Sequence, residues 1–371
     1  MSTIAVNAIT DANDGNTTTI NGVTPNSANV VGKNKIINGN MMIDQRNAGA
    51  SLTPAEGAYT VDRWEAKQTT ASKFSVQQST SSPPVGFTNY VRCTSLSAFS
   101  VGSSDQFGLR QIIEGLNHSD LNWGSADAKT ITISFWVRSS LTGTFGCSLY
   151  NYAGDRSYPF TYAISSANTW EKKTVTIAGD TSGTWPTTST AGIVLFFSLG
   201  SGSSVSGTAG AWSGSFLASA TGATSVVATS GATLDFTGVQ LEVGESATEF
   251  EHRPYTTELQ LCQRYYQTLI DGFGSGTTFT GRGDGGSGTG AFFTVPLSVG
   301  MRASPTVTTT TIFYFDYDSH TTSTSATTVG GFDYRNSFIV LYNNGFSGTG
   351  NNRIAAVGPA TNDPIILNAE L

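Results

Sequence analysis

The feature that most constrains this chain is a succession of short segments rich in β-branched and aromatic residues, with turns of Gly, Ser, Pro and Asn between them. Across residues 36–255 no amphipathic helix separates these segments. Strands that follow one another without crossover helices favour antiparallel sheets over an α/β fold. We therefore predict an all-β chain whose main body is an antiparallel jelly-roll sandwich. The segments are TVDRWEA, KFSVQQS, NYVRCTS, FGLRQII, TITISFWVRS, FGCSLYNY, FTYAIS, WEKKTVTIA, GIVLFFSL and LDFTGVQLEV.

Two of these segments also indicate where they lie in the sandwich. In TITISFWVR the residues Ile131, Ile133 and Phe135 alternate with polar positions, so one face of this strand is expected to be buried. The run IVLFFSL at 193–199 has no alternation. A strand that is apolar on both faces is expected at the centre of a sheet, with cover on both sides.

The chain divides by composition into four parts. Residues 1–35 hold almost no large side chain and are predicted to form an extended N-terminal attachment arm, and residues 36–255 the jelly roll. Residues 256–269 are predicted to form one short linking helix, since apolar residues recur at helical spacing there. Residues 270–371 are predicted to form a smaller C-terminal β-sandwich domain. Within the jelly roll, residues 200–232 are expected to be a long surface excursion anchored by Trp212 and Phe216.

Charge and hydropathy exclude several classes of function. Only 12% of the residues are charged, about half the usual share, and the net charge is −7. Nucleic-acid binding is not expected, because clustered cations are needed to displace counterions from phosphates. No apolar stretch approaches the ~20 residues that span a bilayer, so membrane insertion is not expected either. The N-terminus lacks the basic start and apolar core of a signal peptide, which predicts synthesis in a cytoplasm without one.

Three cysteines, Cys93, Cys147 and Cys262, lie far apart in the sequence. No CxxC pair or Cys/His cluster accompanies them, so neither a zinc site nor a disulfide framework is indicated. We expect buried thiols that pack as small apolar residues. The sequence indicates no cofactor, leaves the metal-binding residues unknown and leaves a structural calcium ion open.

Seven segments spread over most of the chain carry a family resemblance. They are KNKIINGNMMIDQRNAG (33–49), VDRW (61–64), GVQLEVG (238–244), ATEFEHRPY (247–255), ELQLCQRYYQ (258–267), VPLSVGMRASPTV (295–307) and the ending NAEL. Together they resemble virion proteins of tailed bacteriophages that carry domains like carbohydrate-binding modules. The resemblance implies a phage structural protein, of the tail-fibre or receptor-binding type. It implies packing and junction roles for the matching residues and transfers no catalytic residue.

Recognition of a host surface polysaccharide is the function that the residues favour. Aromatic rings stack on the C–H faces of sugars, while amide, carboxylate and guanidinium groups bind the hydroxyls. Such residues concentrate in SLYNYAGDRSYPFTY at 148–162, and two further tryptophans lie in loops. The candidate glycan-binding residues are Tyr150, Tyr152, Asp155, Arg156, Tyr158, Trp185 and Trp212.

Two other functions compete with this one. The first is a decoration or adaptor protein that holds other virion proteins together on a capsid or tail. The second is a glycan depolymerase, which would need two carboxylates about 5–10 Å apart; Asp316 and Asp318, with His320 nearby, are the best pair in the sequence. The run GRGDGG at 281–286 matches GxGxxG, but it lacks the strand and helix of a dinucleotide site and is expected to be a loop.

The expected setting is a virion, on its tail or another surface appendage, after synthesis in the host cytoplasm. The expected partners are other virion proteins, bound through the N-terminal arm, and the host polysaccharide. A homotrimer is expected because an arm without a core needs partners. No catalytic residue is assigned, and the chain is not expected to be an enzyme.

Overall fold

The described part of the chain is almost entirely β-structure. The antiparallel all-β sandwich predicted from the sequence is confirmed. Residues 1–31, and with them most of the predicted attachment arm, lie outside the described residues. The computed structural model describes residues 32–269, 279–283, 290–308, 312–315, 320–323, 328–333, 338–344, 354–359 and 365–371.

Two five-stranded antiparallel sheets face each other and form the main body. Sheet A has the strand order β1-β4-β9-β6-β7, and sheet B has the order β2-β3-β12-β5-β8. Two short parallel strands, β10 and β11, pair beside them. The strands are β1 (Glu65–Gln68), β2 (Phe74–Ser79), β3 (Tyr90–Ser95), β4 (Gln106–Glu114), β5 (Ile131–Ser139), β6 (Gly143–Asn151), β7 (Ser157–Ile164), β8 (Glu171–Ile177), β9 (Ala191–Ser201), β10 (Ser206–Gly207), β11 (Ser219–Ala220) and β12 (Thr233–Val243).

The core lies between the two sheets. Strand β9 is the central strand of sheet A and is buried on both faces, which confirms the prediction for residues 193–199. Ile133 and Phe135 of β5 point into the same core. The rings of Phe197 and Phe236 stack between the sheets with centroids 4.3 Å apart, and Trp64 packs edge-on against Phe236 at 5.3 Å. Burying each such side chain stabilises the fold by roughly 1.5–3 kcal/mol.

The excursion at 200–232 folds back over sheet A. Phe216 packs edge-on against Tyr150, with ring centroids 5.1 Å apart. Phe196 and Ala218 complete a small apolar cluster there, separate from the main core. Since neighbouring residues of a strand point to opposite faces, this cluster covers the outer face of sheet A. The anchoring predicted for Phe216 and Trp212 is confirmed.

The helix α1 (Tyr255–Gln263) is shorter than the predicted 256–269. It ends early because the following residues form a strand, β13 (Tyr266–Thr268), which pairs with β22 (Ile366–Asn368) near the end of the chain. No helix in the described ranges has the length and apolar character needed to cross a bilayer.

The remaining strands form two sheets after the helix. One has the order β13-β22-β16, and the other has the order β18-β17-β21-β14-β15-β20-β19. The domain boundaries given above remain predictions. The strands are β14 (Phe279–Gly283), β15 (Gly290–Pro296), β16 (Thr306–Thr308), β17 (Ile312–Phe315), β18 (His320–Ser323), β19 (Thr328–Asp333), β20 (Phe338–Asn344), β21 (Ile354–Pro359) and β22 (Ile366–Asn368).

Four of the seven segments quoted in the sequence analysis meet in one buried junction. The Arg46 guanidinium lies 3.2 Å from the Asp62 carboxylate and 2.9 Å from that of Glu370. Arg63 pairs with the same Glu370 and stacks on the ring of Tyr265 at 3.5 Å. These five residues come from four segments that are far apart in sequence. The junction therefore joins the start of the jelly roll to the residues after α1 and to the last strand.

Burial shifts the pKa of ionisable groups in the junction. Burial raises the pKa of Asp62, although Arg46 opposes the effect, and it raises the pKa of Tyr265 to about 12. The Tyr265 hydroxyl donates a 2.6 Å hydrogen bond to Glu114, which also binds Arg264. The three cysteines are buried and free, as the sequence predicts.

Candidate functional site

Four loops of the jelly roll converge beside the β7 and β8 edges of the sandwich. Backbone groups fasten them together: Gly124 N donates to Asp180 O at 2.8 Å. The Trp212 indole nitrogen donates to Ala178 O at 2.8 Å, and the Asn151 amide donates to a carbonyl of the same loop. We call this region the loop cluster. It comprises residues 115–130, 151–158, 178–190 and 208–216.

Three tryptophans from three different loops form the centre of the loop cluster. Ring centroids are 4.8 Å apart for Trp123 and Trp185, 5.3 Å for Trp123 and Trp212, and 5.6 Å for Trp185 and Trp212. All three contacts are edge-on. Tyr158 extends the group, packing edge-on against Trp212 at 5.2 Å. Edge-on contacts between aromatic rings are favourable beyond their burial, so the group holds the loops in one arrangement.

Polar contacts fix the loop that precedes β7. Arg156 binds Asp180 through two hydrogen bonds of 2.6 and 2.7 Å. These hydrogen bonds raise the pKa of Arg156, which therefore stays charged. The Asn151 amide donates to Asp155 at 2.6 Å. Gly183 sits where a Cβ atom would lie 2.4 Å from the Arg156 side chain, so a larger residue there would displace the guanidinium.

The structure brings the seven candidate residues together, but it does not expose all of them. Tyr152 is 49% exposed, Asp155 is exposed, and Tyr158 and Trp212 are half-buried. Trp185 is only 6% exposed because the other two tryptophans enclose it. The expectation that its indole is free to stack on a sugar is therefore corrected: Trp185 supports the site and offers an edge to it.

Tyr150 is a second correction. It is 3% exposed, because Phe216 of the excursion covers its ring on the outer face of sheet A. Burial raises the pKa of Tyr150, and Arg110 Nη1 donates to its hydroxyl at 3.4 Å. A ring that the protein itself covers cannot stack on a ligand. Tyr150 is therefore a packing residue in this structure.

A cavity of about 320 Å³ opens beside the tryptophans. Its size lies at the lower end of the range for small-ligand sites. His118 lies in its wall, and burial lowers the pKa of this residue to about 4. The sequence alone did not single out Trp123, although it stands between Asn122 and Gly124 in a segment of turn residues. The lining residues are His118, Ser119, Asn122, Trp123, Ser125, Asp127, Trp185 and Thr187.

A larger cavity of about 770 Å³ lies between the start of the jelly roll and α1. Its walls are already paired with one another. The Glu251 carboxylate accepts hydrogen bonds from the backbone nitrogens of Gly32 and Asn34, at 2.6 and 2.8 Å. Arg253 Nη1 donates to Ile36 O at 3.0 Å. This cavity holds none of the candidate residues, and its polar groups hold the chain segments together.

The two aspartates considered above for a depolymerase, Asp316 and Asp318, are not among the described residues, while His320 begins β18. The first three residues of the run GRGDGG, 281–283, lie in β14, contrary to the loop expected there, and its last three, 284–286, lie outside the described residues. Within the described ranges, no group of three or more His, Cys, Asp or Glu side chains is placed to share a metal ion.

Comparisons with known proteins gave structural matches only. No family model matches the chain, and a search of curated proteins gave no match. One solved structure is the enzymatically active domain of tailspike protein 4 from bacteriophage CBA120, with 11% identity and a TM-score of 0.30. The match covers 52% of this chain and 21% of that domain, so the chain spans about a fifth of its length.

Two further matches are carbohydrate-binding modules. The tandem CBM22-1–CBM22-2 domain of Paenibacillus barcinonensis Xyn10C matches with 10% identity and a TM-score of 0.27, covering 88% of this chain and 100% of the tandem domain. The family 11 module of the Clostridium thermocellum cellulase Lic26A-Cel5E matches with 12% identity and a TM-score of 0.26, covering 55% of this chain and 100% of the module. Because these TM-scores lie below 0.5, the function is argued from the residues of this chain.

Proposed function

We propose that this chain is a non-enzymatic, glycan-binding structural component of a bacteriophage virion, of the tail-fibre or receptor-binding type. The observation that carries the proposal is the cavity lined by Trp123 and Trp185, with exposed polar side chains such as Asn122 and Thr187 around it. Aromatic surface combined with a few polar groups is typical of small-ligand sites. The indole edges of Trp123 and Trp185 offer apolar contact to the C–H groups of a sugar, and amide and hydroxyl groups bind its hydroxyls.

The outer sheet faces are less suited to a ligand than the loop cluster. The excursion at 202–220 covers much of sheet A. On sheet B, Tyr90 and Trp170 pack together above the strands, and both Trp170 and Arg138 donate to Ser82 O. Segments of the chain itself therefore occupy much of both faces. The half-exposed aromatic residues next to a cavity are in the loop cluster.

The virion part of the proposal is supported by the sequence resemblance, because four of the seven resembling segments pack against one another around Glu370. Residues that together form one structural junction are expected to occur together in proteins that share that junction. The proposed partners are other virion proteins, engaged through the N-terminal arm, and a host surface polysaccharide. The proposed assembly is a homotrimer on the virion, which light scattering of the purified protein would test.

The first experiment measures binding to an array of bacterial surface polysaccharides. Truncation of Trp123 to Ala, or of the exposed Thr187 to Ala, is expected to weaken binding about tenfold, the effect typical of a central contact residue. Trp170→Ala is the matched control, because Trp170 packs on Tyr90 at the face of sheet B, away from the loop cluster. Thr187→Ala keeps the test valid if Trp123→Ala loosens the tryptophan group.

Three outcomes would contradict the proposal. Failure of the native protein to bind any host polysaccharide would remove glycan recognition. Labelling of the protein on the capsid lattice in intact particles, instead of the tail, would favour the decoration or adaptor function. Release of reducing ends from a bound polysaccharide would show a depolymerase, and substitution of Asp316 and Asp318 would then test that pair.

A further inference from the structure

The cavity in the loop cluster has an unbalanced charge. Its lining contains one exposed carboxylate, that of Asp127, and no Lys or Arg side chain. The remaining polar residues at the opening, Ser119, Asn122, Ser125 and Thr187, are uncharged and exposed. His118 does not supply a cation near neutral pH, because burial lowers its pKa to about 4. A ligand in this cavity therefore meets a net negative charge.

Basic side chains lie in and next to the loop cluster, but they do not line the cavity. Arg156 is held by two hydrogen bonds to Asp180, which is buried, so its positive charge is compensated within the protein. Lys35, on the adjoining segment, binds Asp120 through both carboxylate oxygens at 2.8 Å. Lys129 is exposed and follows Asp127 by two residues, outside the lining. An anion in the cavity would therefore face the Asp127 carboxylate with no cation in the lining itself.

The volume sets a second limit. About 320 Å³ is near the smallest size for a small-ligand pocket. The edges of Trp123 and Trp185 form part of its wall, and the other aromatic residues of the loop cluster, Tyr152, Tyr158 and Trp212, are not among its lining residues. A cavity of this size fits a sugar unit that projects from a polymer, at a chain end or a branch. An extended stretch of polymer would need a longer surface.

From charge and size together we infer that the cavity takes one uncharged sugar unit at a chain end or branch, and rejects units that carry a carboxylate or a phosphate. This inference rests on the proposed glycan function and narrows it to a ligand class. Asp127 is the residue that determines the selectivity. Its carboxylate faces no Lys or Arg side chain in the lining, so it repels an anionic ligand over several ångströms.

The test uses pairs of sugars that differ only by an acidic group. The probes are methyl glucoside with methyl glucuronide, and methyl galactoside with methyl galacturonide. Binding to the full-length native protein is followed by tryptophan fluorescence, to which Trp123, Trp185 and Trp212 contribute. The neutral member of a pair is expected to bind about tenfold more tightly, and added salt should reduce the difference.

Two variants separate this inference from a general effect of surface charge. Asp127→Asn is expected to bring the two members of a pair to within about threefold of each other, because the repulsion is removed. Glu56→Gln is the matched control, since Glu56 is an exposed carboxylate that does not line the cavity. It is expected to keep the preference for the neutral sugar.

The outcomes distinguish failure of the preference for neutral sugars from failure of glycan binding itself. Acidic sugars that bind as tightly as their neutral partners, or more tightly, would overturn the inference while leaving glycan binding in place. A preference for neutral sugars that survives Asp127→Asn would overturn the role of Asp127. If the protein binds none of the probes and no polysaccharide on the array, both the proposed function and the inference are overturned.

Discussion

His118 shows how one buried side chain can make the site sensitive to pH. The residue is 2% exposed, and its Nε2 atom has no hydrogen-bond partner within the described part of the chain. A Cβ atom added to Gly192 of β9 would lie 1.9 Å from that Nε2. The imidazole is therefore packed tightly against backbone, where water cannot solvate a charge. This is the physical reason why the neutral form is favoured and the pKa falls to about 4.

At the scale of single residues we predict that the free energy of unfolding decreases as the pH falls from 6.5 to 4. In this window the unfolded chain binds a proton at His118 and the folded chain does not, so lowering the pH favours unfolding. The contribution approaches about 3 kcal/mol at pH 4, since one pKa unit is worth about 1.4 kcal/mol. Chemical denaturation of the native protein and of His118→Phe across this window measures it.

The variant is the reference for the native protein. His118→Phe keeps an aromatic ring but removes the titrating imidazole, while the carboxylates titrate alike in both proteins. The difference in unfolding free energy between the two proteins should change with pH. Parallel curves would show that His118 is solvated in the folded state, contrary to its burial.

The solvent exposure of the candidate aromatic side chains could not be predicted from the sequence. The tyrosines at 150–162 and the two loop tryptophans were identified from composition, and the structure does bring them into one region. Tyr150 and Trp185 are covered by residues far away in sequence, Phe216 and Trp212, so no local pattern could show their burial. Trp123 was missed because a single tryptophan among turn residues has no periodicity to mark it.

Among the elements, the loop before β9 is tied to the end of the chain by one side chain. Arg302 donates from Nη1 to Ser189 O, from Nε to Ala369 O and from Nη2 to Glu370 O, at 2.9, 2.9 and 2.8 Å. The same loop carries Trp185 and Thr187, which line the cavity. The geometry of the cavity therefore depends on a residue that follows α1 by about forty positions in sequence.

We predict that Arg302→Gln loosens this loop without unfolding the sandwich. The backbone nitrogen of Leu116 donates to Thr188 O at 3.0 Å, so its amide reports opening of the loop. A hydrogen bond from a charged group is worth about 1.5–3 kcal/mol, and hydrogen exchange at Leu116 should accelerate at least about tenfold.

Arg92→Gln provides the control, because Arg92 pairs with Asp235 on sheet B. Exchange at Leu116 should stay at the native rate in this variant. Equal exchange in the native protein and Arg302→Gln would mean that Arg302 does not hold the loop.

Sequence patterns predicted the elements well where the pattern is local. The central position of β9 followed from its unbroken apolar run, and the inward face of β5 followed from its alternation. The end of α1 did not follow, because residues 266–268 become a strand only through pairing with β22, about a hundred residues further along. The helical spacing in that stretch was genuine, but a tertiary partner decided its structure.

For the molecule as a whole, Glu370 is the residue on which the junction depends. Its side chain is 6% exposed and pairs with both Arg46 and Arg63, and the latter is itself buried. Removing one partner of a buried pair leaves an uncompensated charge, which is strongly destabilising. The charges at this point thus connect the sandwich to the sheet that contains β22.

We predict that Glu370→Gln lowers the unfolding free energy by about 3 kcal/mol. Calorimetry should also show that unfolding of the jelly roll separates from that of the later sheets, because their main polar link is weakened. Glu56→Gln is the control: the Glu56 side chain is 46% exposed and pairs with Lys67 at the surface. Such a pair is worth no more than about 1 kcal/mol. A Glu370 variant as stable as the Glu56 variant would contradict this account.

The pairing of β12 also determines when the sandwich can form during synthesis. This strand lies between β3 and β5, yet it follows β3 by about 140 residues. While the ribosome is still translating the intervening chain, β3 and β5 have no partner on the side that β12 will fill. The nascent protein must therefore carry unpaired strand edges until residue 243 has emerged, and chaperones or neighbouring nascent chains can bind those edges in that interval.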